Sequence, residues 1–363
     1  MTRTLPLLLV TLGDPTRLSG GYLYHLRLAG AAAQHGFAIR FAGLATGSGP
    51  RAVAEVRRMV LGGEEEVSAV LLDSIAAARC RLCDAVPRRR PLVAIVHQPP
   101  GGMDSGPLRR VVRRRLDLSA YERARRIVAA SESLRQQLIL AGVGPDRITV
   151  VPPGCDPSPG TPAGGGSMDL RGTRGAAILC VSNWQRRKDI LSLLDAFAML
   201  PSGAATLHLA GDETAEPGYA RRVLRRLGAP DLAGRVVRHG RLTSAEVAEL
   251  YSAADVFALP SLVEPYGTVY AEAMAAGLPC VGWEAGNLPN LATPGRECLT
   301  ASPGDVSGLG SALATLCLDE VERRRLGEAA RRRAAGFPTW DATARSFFST
   351  VRQVLEDGAG ATP

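Results

Sequence analysis

Lysine is almost missing from this 363-residue chain. Of its 43 basic residues 42 are arginine, and the remaining one is Lys188. Asparagine is nearly as scarce, occurring only at Asn183, Asn287 and Asn290. Both amino acids are read from A-rich codons, so a GC-biased coding sequence accounts for the scarcity. A lysine that persists under such bias is either a chance survivor or one whose compact ammonium a planar guanidinium does not replace. Aromatic residues make up only 5% and do not interleave the arginine clusters Arg109–Arg115, Arg221–Arg226 and Arg323–Arg333. That excludes the stacking platform of a single-strand nucleic-acid groove. The clusters read as solvated helix faces in spite of the net charge of +8, so no nucleic acid is expected as a partner.

Other absences narrow the class further. No apolar run approaches the roughly 18 residues of a membrane span. Leu5–Leu12 is short, lacks a small-residue cleavage site and runs into Gly13-Asp14-Pro15, so it reads as a first strand and not a signal peptide. The seven cysteines are odd in number and scattered, which fits reduced thiols in a cytoplasm and not a disulfide framework. Cys80 and Cys83 form a lone C-x-x-C with no second pair to complete a zinc site, so they read as an incidental pair on a helix. No D-x-D occurs, so no metal clamp on a diphosphate is expected. A hydrophobic fraction of 46% excludes disorder as the dominant state.

What is present is an alternation of apolar runs with helical patterns, the signature of a parallel α/β architecture. The length suggests two domains. Expected strands in the first half are Leu5–Leu12, Ala38–Ala42, Val67–Leu72, Leu92–Val96, Ile127–Ala130 and Ile148–Val151. Helices are expected at Tyr22–His35, stopped by Gly36, and at Ser131–Ala141, capped by Ser131. Pro152–Gly175 then carries five prolines and seven glycines without apolar period, and reads as the interdomain linker. After it the expected strands are Ala176–Val181, Thr206–Ala210, Arg235–Arg238, Asp255–Leu259 and Pro279–Val281, and Trp340–Leu355 has helical spacing. Ligands of open parallel sheets bind at the carboxyl ends of strands, so the loops there are the candidates.

Ser19-Gly20-Gly21 opens the first helix; it is either a ligand loop or a plain tight turn, since no G-x-G-x-x-G is present. His97 ends the fourth strand before Pro99-Pro100, and stands either as a fixed polar group at a cleft floor or as a structural histidine. His25 and His35 read as helix-face residues, and His208 lies inside a strand. Ser182-Asn183-Trp184-Gln185-Arg186-Arg187-Lys188-Asp189 combines the lone lysine, two arginines and a helix start, which suits a phosphate. In the block Pro260–Pro279, Glu264 follows a strand, Gly267 starts a helix, and Glu272 lies on it. The two carboxylates are acceptors for vicinal hydroxyls. The N–H groups of Gly267, Thr268 and Val269 form a helix-start anion site between them. Hydroxyls, phosphates and a ribose together describe a nucleotide sugar. The loop Trp283–Asn290 holds the other two asparagines, so every lysine and asparagine falls in two candidate cleft loops.

The Glu264-x7-Glu272 pair, in its Tyr266-Gly267 and Glu272-Ala273-Met274-Ala275 context, closely resembles glycosyltransferase family 4. The similarity extends to Gly20-Gly21, His97, Val151–Asp156, Lys188 and Gly211-Asp212. The resemblance implies an α/β GT-B fold: two Rossmann-like parallel-sheet domains facing a central cleft. Their implied extents are 1–155 for the acceptor-binding domain, 156–175 for the linker and 176–338 for the donor domain, with a helix over 339–357 crossing back. It further implies transfer of a sugar from a nucleotide diphosphate with retention and without a metal or other cofactor. UDP is the first guess and GDP the next. By resemblance Glu272 would hold the ribose, Glu264 the sugar hydroxyls, and Lys188, Gly267, Thr268 and Arg186 or Arg187 the departing diphosphate. Gly20 and Gly21 would line the β-phosphate side and His97 would sit beside the reacting sugar. Gly240, Tyr266 and Val269 complete the implied donor set. Asn183 stands where the family usually carries a phosphate-binding arginine. The acceptor is an unidentified hydroxyl on a glycan, a lipid or a small natural product.

Two other readings stand beside this one: a sugar-nucleotide 2-epimerase of the same fold, and a non-catalytic nucleotide-binding scaffold. The basic stretch Leu108–Arg126 is either a solvated helix or a peripheral contact with an anionic membrane, on its cytoplasmic face.

Overall fold

The computed structural model describes residues 4–13, 20–44, 67–78, 90–103, 106–155 and 168–359, together with residues 54, 58 and 86. Ser19, Cys80 and Cys83, the Thr46–Pro50 loop and residues 156–167 of the linker lie outside the described residues. The chain divides into two compact units: Met1–Gly154 with Pro338–Pro363, and Cys155–Phe337.

The first unit is built on six strands: β1 (Leu5–Leu12), β2 (Phe37–Leu44), β3 (Ala69–Asp73), β4 (Leu92–Val96), β5 (Arg126–Ala129) and β6 (Ile148–Val150). They form one parallel sheet in the order β2-β1-β3-β4-β5-β6. Successive side chains of β1 go to opposite faces, as the strand period requires. Leu8 and Val10 join one core with Leu134 and Leu138 of the helix Glu132–Leu140. Leu7 and Leu9 join the other, which is closed by Phe347, Phe348, Val351 and Val354 of the terminal helix Trp340–Ala359. Phe348 stacks on Phe37 at 5.2 Å between ring centroids.

The second unit repeats the plan with β7 (Ala176–Val181), β8 (Ala205–Ala210), β9 (Val236–Gly240), β10 (Val256–Ala258), β11 (Cys280–Trp283) and β12 (Cys298–Ala301). The parallel order is β12-β11-β10-β7-β8-β9. In both sheets the order reverses beside the unit's first strand, so loops from neighbouring strands diverge there and leave room for a ligand.

Eleven of the twelve strands fall where the apolar runs predict them, with ends displaced by one or two residues. β12 is the exception. It is a four-residue edge strand whose partly exposed Leu299 and Thr300 break the apolar run. Ser131 caps its helix as predicted, its hydroxyl accepting the Leu134 N–H at 3.1 Å. The solvated-face reading fails for part of the cluster Arg323–Arg333. Arg323 is buried and donates to the Leu316 carbonyl at 2.8 Å. Arg331 donates to the Ala276 carbonyl at 2.9 Å.

Candidate active site

Loops from the carboxyl ends of β7, β10 and β11 converge within the second unit. The β7 loop runs into a short turn of 3-10 helix, Arg186–Lys188. Asp189 follows with φ 51°, the one non-glycine residue of positive φ among the described residues. That conformation is costly for a residue with a Cβ. It is held by Trp283, whose Nε1 donates to Asp189 Oδ2 at 3.1 Å. The turn carries Lys188 inward until it is buried, with its Nζ donating to Glu264 Oε2. Burial lowers the Lys188 pKa; Glu264 opposes the shift and Arg187 adds to it.

Glu264 sits on the loop after β10, and that loop is stitched to the β7 loop. The Arg187 carbonyl accepts from the Leu262 N–H at 2.8 Å and the Ser261 hydroxyl at 3.2 Å. The Arg187 guanidinium donates to the Val263 carbonyl at 3.2 Å and to Gln185 Oε1 at 2.8 Å. From the other side Gly286 (φ 62°) lies flush against Glu264: a Cβ there would stand 2.9 Å from the Glu264 nitrogen.

Gly267 (φ 88°) opens the helix Thr268–Ala275, and its Cβ would stand 2.9 Å from Tyr270 Cδ2. No other residue type fits that conformation and space together. The Gly267 carbonyl accepts from the N–H groups of Tyr270 and Ala271 at 2.9 and 3.1 Å. The earlier N–H groups, of Thr268 and Val269, have no acceptor within the helix and present its positive end to an anion. Further along, half-buried Glu272 lies 3.2 Å from the Tyr251 hydroxyl, which is also 3.2 Å from the Val269 carbonyl. Burial raises the Glu272 pKa to about 7, against the pull of the Tyr251 hydrogen bond.

The structure therefore brings Lys188, Arg187, Glu264 and Gly267 together, and places Glu272 on the helix that Gly267 opens. Tyr266 is buried beside them, with its carbonyl accepting from Asn287 Nδ2 at 2.7 Å. The amides of the three asparagines brace loops. Asn290 Nδ2 donates to Asn287 Oδ1 at 3.0 Å. Asn183 Oδ1 accepts the Asp212 N–H at 3.0 Å. Gly240 is part of the same bracing, since its carbonyl accepts the Gly211 N–H at 2.7 Å. Arg186 is tied to Glu216, with Nε 2.6 Å from Oε1. Sequence reasoning missed Tyr251, which lies in the last turn of the helix Ser244–Ala253 outside any motif, and the Asp189–Trp283 brace, whose partners lie 94 residues apart.

Gly20, Gly21 and His97 belong to the first unit. Gly20 opens the helix Gly20–Ala31, and a Cβ on Gly21 would stand 3.6 Å from His97 Cδ2. The His97 ring meets Tyr24 edge-on at 4.8 Å and His25 at 4.9 Å. Burial and the neighbouring His25 lower the His97 pKa to about 3, so the ring is neutral at physiological pH. His35 stacks on Phe348, and His25 lies on the helix Gly20–Ala31 and is fully buried.

Residues 175–319 match the family model Glycosyl transferases group 1, and residues 64–159 match Glycosyltransferase Family 4. The chain is 32% identical over 283 residues to D-inositol 3-phosphate glycosyltransferase of Kineococcus radiotolerans, covering 67% of this chain and 61% of that one. It is 32% identical over 231 residues to MMP alpha-(1->4)-mannosyltransferase of Mycolicibacterium hassiacum, covering 63% and 54%. The matches thus span about half to three fifths of the length of these curated relatives. Among solved structures, sucrose-phosphate synthase from Thermosynechococcus elongatus superposes with a TM-score of 0.81 at 20% identity, over 97% of this chain and 100% of that one. Anabaena HepE in complex with UDP gives 0.76 at 20% identity, over 96% and 100%. At such identity the likeness establishes the fold, the two-domain Rossmann-like GT-B type.

Proposed function

The chain belongs to glycosyltransferase family 4, and from that premise we propose that it moves a sugar from a nucleoside-diphosphate donor to an acceptor hydroxyl, with retention and without a metal. The observation that carries this reading is Lys188 held against Glu264, beside the helix start at Gly267. When the bond from the sugar to the β-phosphate breaks, negative charge develops on the departing diphosphate. The Lys188 ammonium and the Thr268 and Val269 N–H groups are fixed donors for that charge, and fixed donors lower the barrier without reorganising. Glu264 is the acceptor for donor-sugar hydroxyls, which compete with Lys188 for its oxygens. Glu272 is the acceptor for the ribose. His97, neutral and fixed, is the first unit's candidate for the reacting sugar. UDP, present in the HepE complex, is the favoured diphosphate, with GDP next.

The helix Pro107–Arg123 supports a peripheral membrane contact. It exposes Leu108, Val111, Val112 and Leu116 along one face, with Arg109, Arg110 and Arg114 beside them. None of the described helices is long and apolar enough to cross a membrane. Flotation with anionic vesicles is expected to carry the chain, and Leu108→Asp/Val112→Asp to abolish it; equal recovery with neutral vesicles would refute the contact. Cys180, Cys280, Cys298 and Cys317 are buried free thiols, which supports a reducing compartment.

The reading is tested by incubating the chain with a panel of nucleotide sugars, first without acceptor and then with candidate acceptors, with and without EDTA. Slow hydrolysis of one donor is expected, faster transfer with product of the donor's anomeric configuration, and no effect of EDTA. Inversion, metal dependence or conversion of the donor into its 2-epimer would contradict it.

A further inference from the structure

We propose that Asp73 and His25 are positioning residues for His97, a role that rests on the reading of His97 given above. Asp73 ends β3 and is fully buried. Four donors surround its carboxylate: Thr11 Oγ1 at 2.7 Å and His25 Nε2 at 3.0 Å on Oδ2, and the Ile75 N–H at 3.1 Å and Ser74 Oγ at 3.4 Å on Oδ1. Burial alone would keep the acid neutral; His25, with Thr11, outweighs it and holds the pKa below the usual carboxylate range. A buried, fully bonded carboxylate is expensive to build, and the proposed donor chemistry does not use it.

Two lines run from Asp73 to His97. The first is through Ser74, whose hydroxyl accepts the His97 N–H at 3.1 Å and so fixes the backbone. The second is through His25. An ionised carboxylate only accepts, so His25 Nε2 donates to it. The His25 ring in that fixed orientation meets the His97 ring at an interplanar angle of 71°. Tyr24 closes the other side at 69°. His97 is thus held in backbone and in ring by one carboxylate.

The same three side chains could be read as metal ligands, since their ligand atoms lie within 4.8 Å of one another. His25 Nε2 is already engaged by Asp73 at 3.0 Å, while His25 Nδ1 and His97 Nε2 have no hydrogen-bond partner among the described residues. We take His25 and Asp73 as a hydrogen-bonded pair that steers His97, and bound metal is an outcome of the test below.

The test uses the full chain with nitrogen-labelled histidine rings, together with steady-state kinetics on the donor it turns over. Asp73→Asn, or His25→Gln should the first variant fold poorly, is expected to shift the ring-nitrogen signals of His97. It is also expected to lower kcat at least about tenfold with donor KM within about twofold. In a His97→Ala background Asp73→Asn should cost no more than about a further twofold, because it acts through the ring already removed. Unchanged His97 signals in a folded variant would overturn the proposal. So would a full additional loss in the His97→Ala background, or one equivalent of Zn2+ bound by the native chain and lost in Asp73→Asn. A chain that turns over no nucleotide sugar would refute the transfer reading, while the ring signals would still decide the positioning.

Discussion

Lys188 and Glu264 each need the other in the folded chain, with 10% and 12% of their side chains exposed. Removing one member of a buried pair leaves the other charge unpaired, a loss of about 3 to 5 kcal/mol. Lys188→Ala is therefore expected to lose stability in denaturant titration as well as turnover. Lys188→Ala/Glu264→Gln should recover much of the stability and none of the activity. Full stability and near-normal kcat/KM in Lys188→Ala would contradict both roles. Glu272 makes a pH prediction. Its pKa is raised from 4.5 to about 7, so the native state keeps a proton there that the unfolded chain has lost. Stability from this group accordingly falls as pH rises from about 4.5 to about 7. Binding of ribose hydroxyls needs the carboxylate, so UDP affinity should rise between about pH 6 and about pH 8. Calorimetry on Glu272→Gln should show weaker binding with that component of the rise missing; an identical pH dependence would refute the assignment. At this scale the lysine was legible because codon bias removed its competitors. The asparagines were ambiguous, because bracing a loop and facing a ligand leave the same trace in a sequence.

The strands were legible because parallel strands buried on both faces become continuous apolar runs. β3, β4 and β8 are buried throughout. β12 was not legible because only its end residues Cys298 and Ala301 are buried, and partly exposed Leu299 and Thr300 lie between them. The turn at Arg186–Lys188 could be foreseen as a helix opening, but the left-handed Asp189 could not, since its brace comes from distant Trp283. The terminal helix is the element with the clearest mechanical role. Phe347, Phe348, Val351 and Val354 are buried in the first unit's core. Exposing four such side chains costs about 6 to 12 kcal/mol, comparable to the whole stability of a domain. Truncation after Pro338 should leave the first unit unprotected in hydrogen exchange; native-like protection of β1 and β3 would show that the helix is dispensable.

For the whole molecule, the positive excess says little about function. Many arginines are spent on ion pairs within the fold: Arg226 with Asp195 and Asp231, Arg238 with Glu213, Arg241 with Asp212, and Arg345 with Asp341. The proposed function rests instead on the loops that the second unit's parallel sheet gathers at its strand ends. Those loops were legible as candidates from the strand rule alone, and the Glu264–Glu272 spacing carried the family resemblance. The supports behind them, Tyr251, Asp73 and Trp283, were not legible because they act through contacts distant in sequence. Lys188 facing a nucleoside diphosphate is what the proposed function stands on. Its most direct test is calorimetric titration of UDP and GDP into the native chain and into Lys188→Ala/Glu264→Gln, whose pair is removed together. One diphosphate should bind the native chain and lose at least about tenfold in affinity to the variant; equal affinity for both proteins, or no binding of either nucleotide to the native chain, would contradict the account.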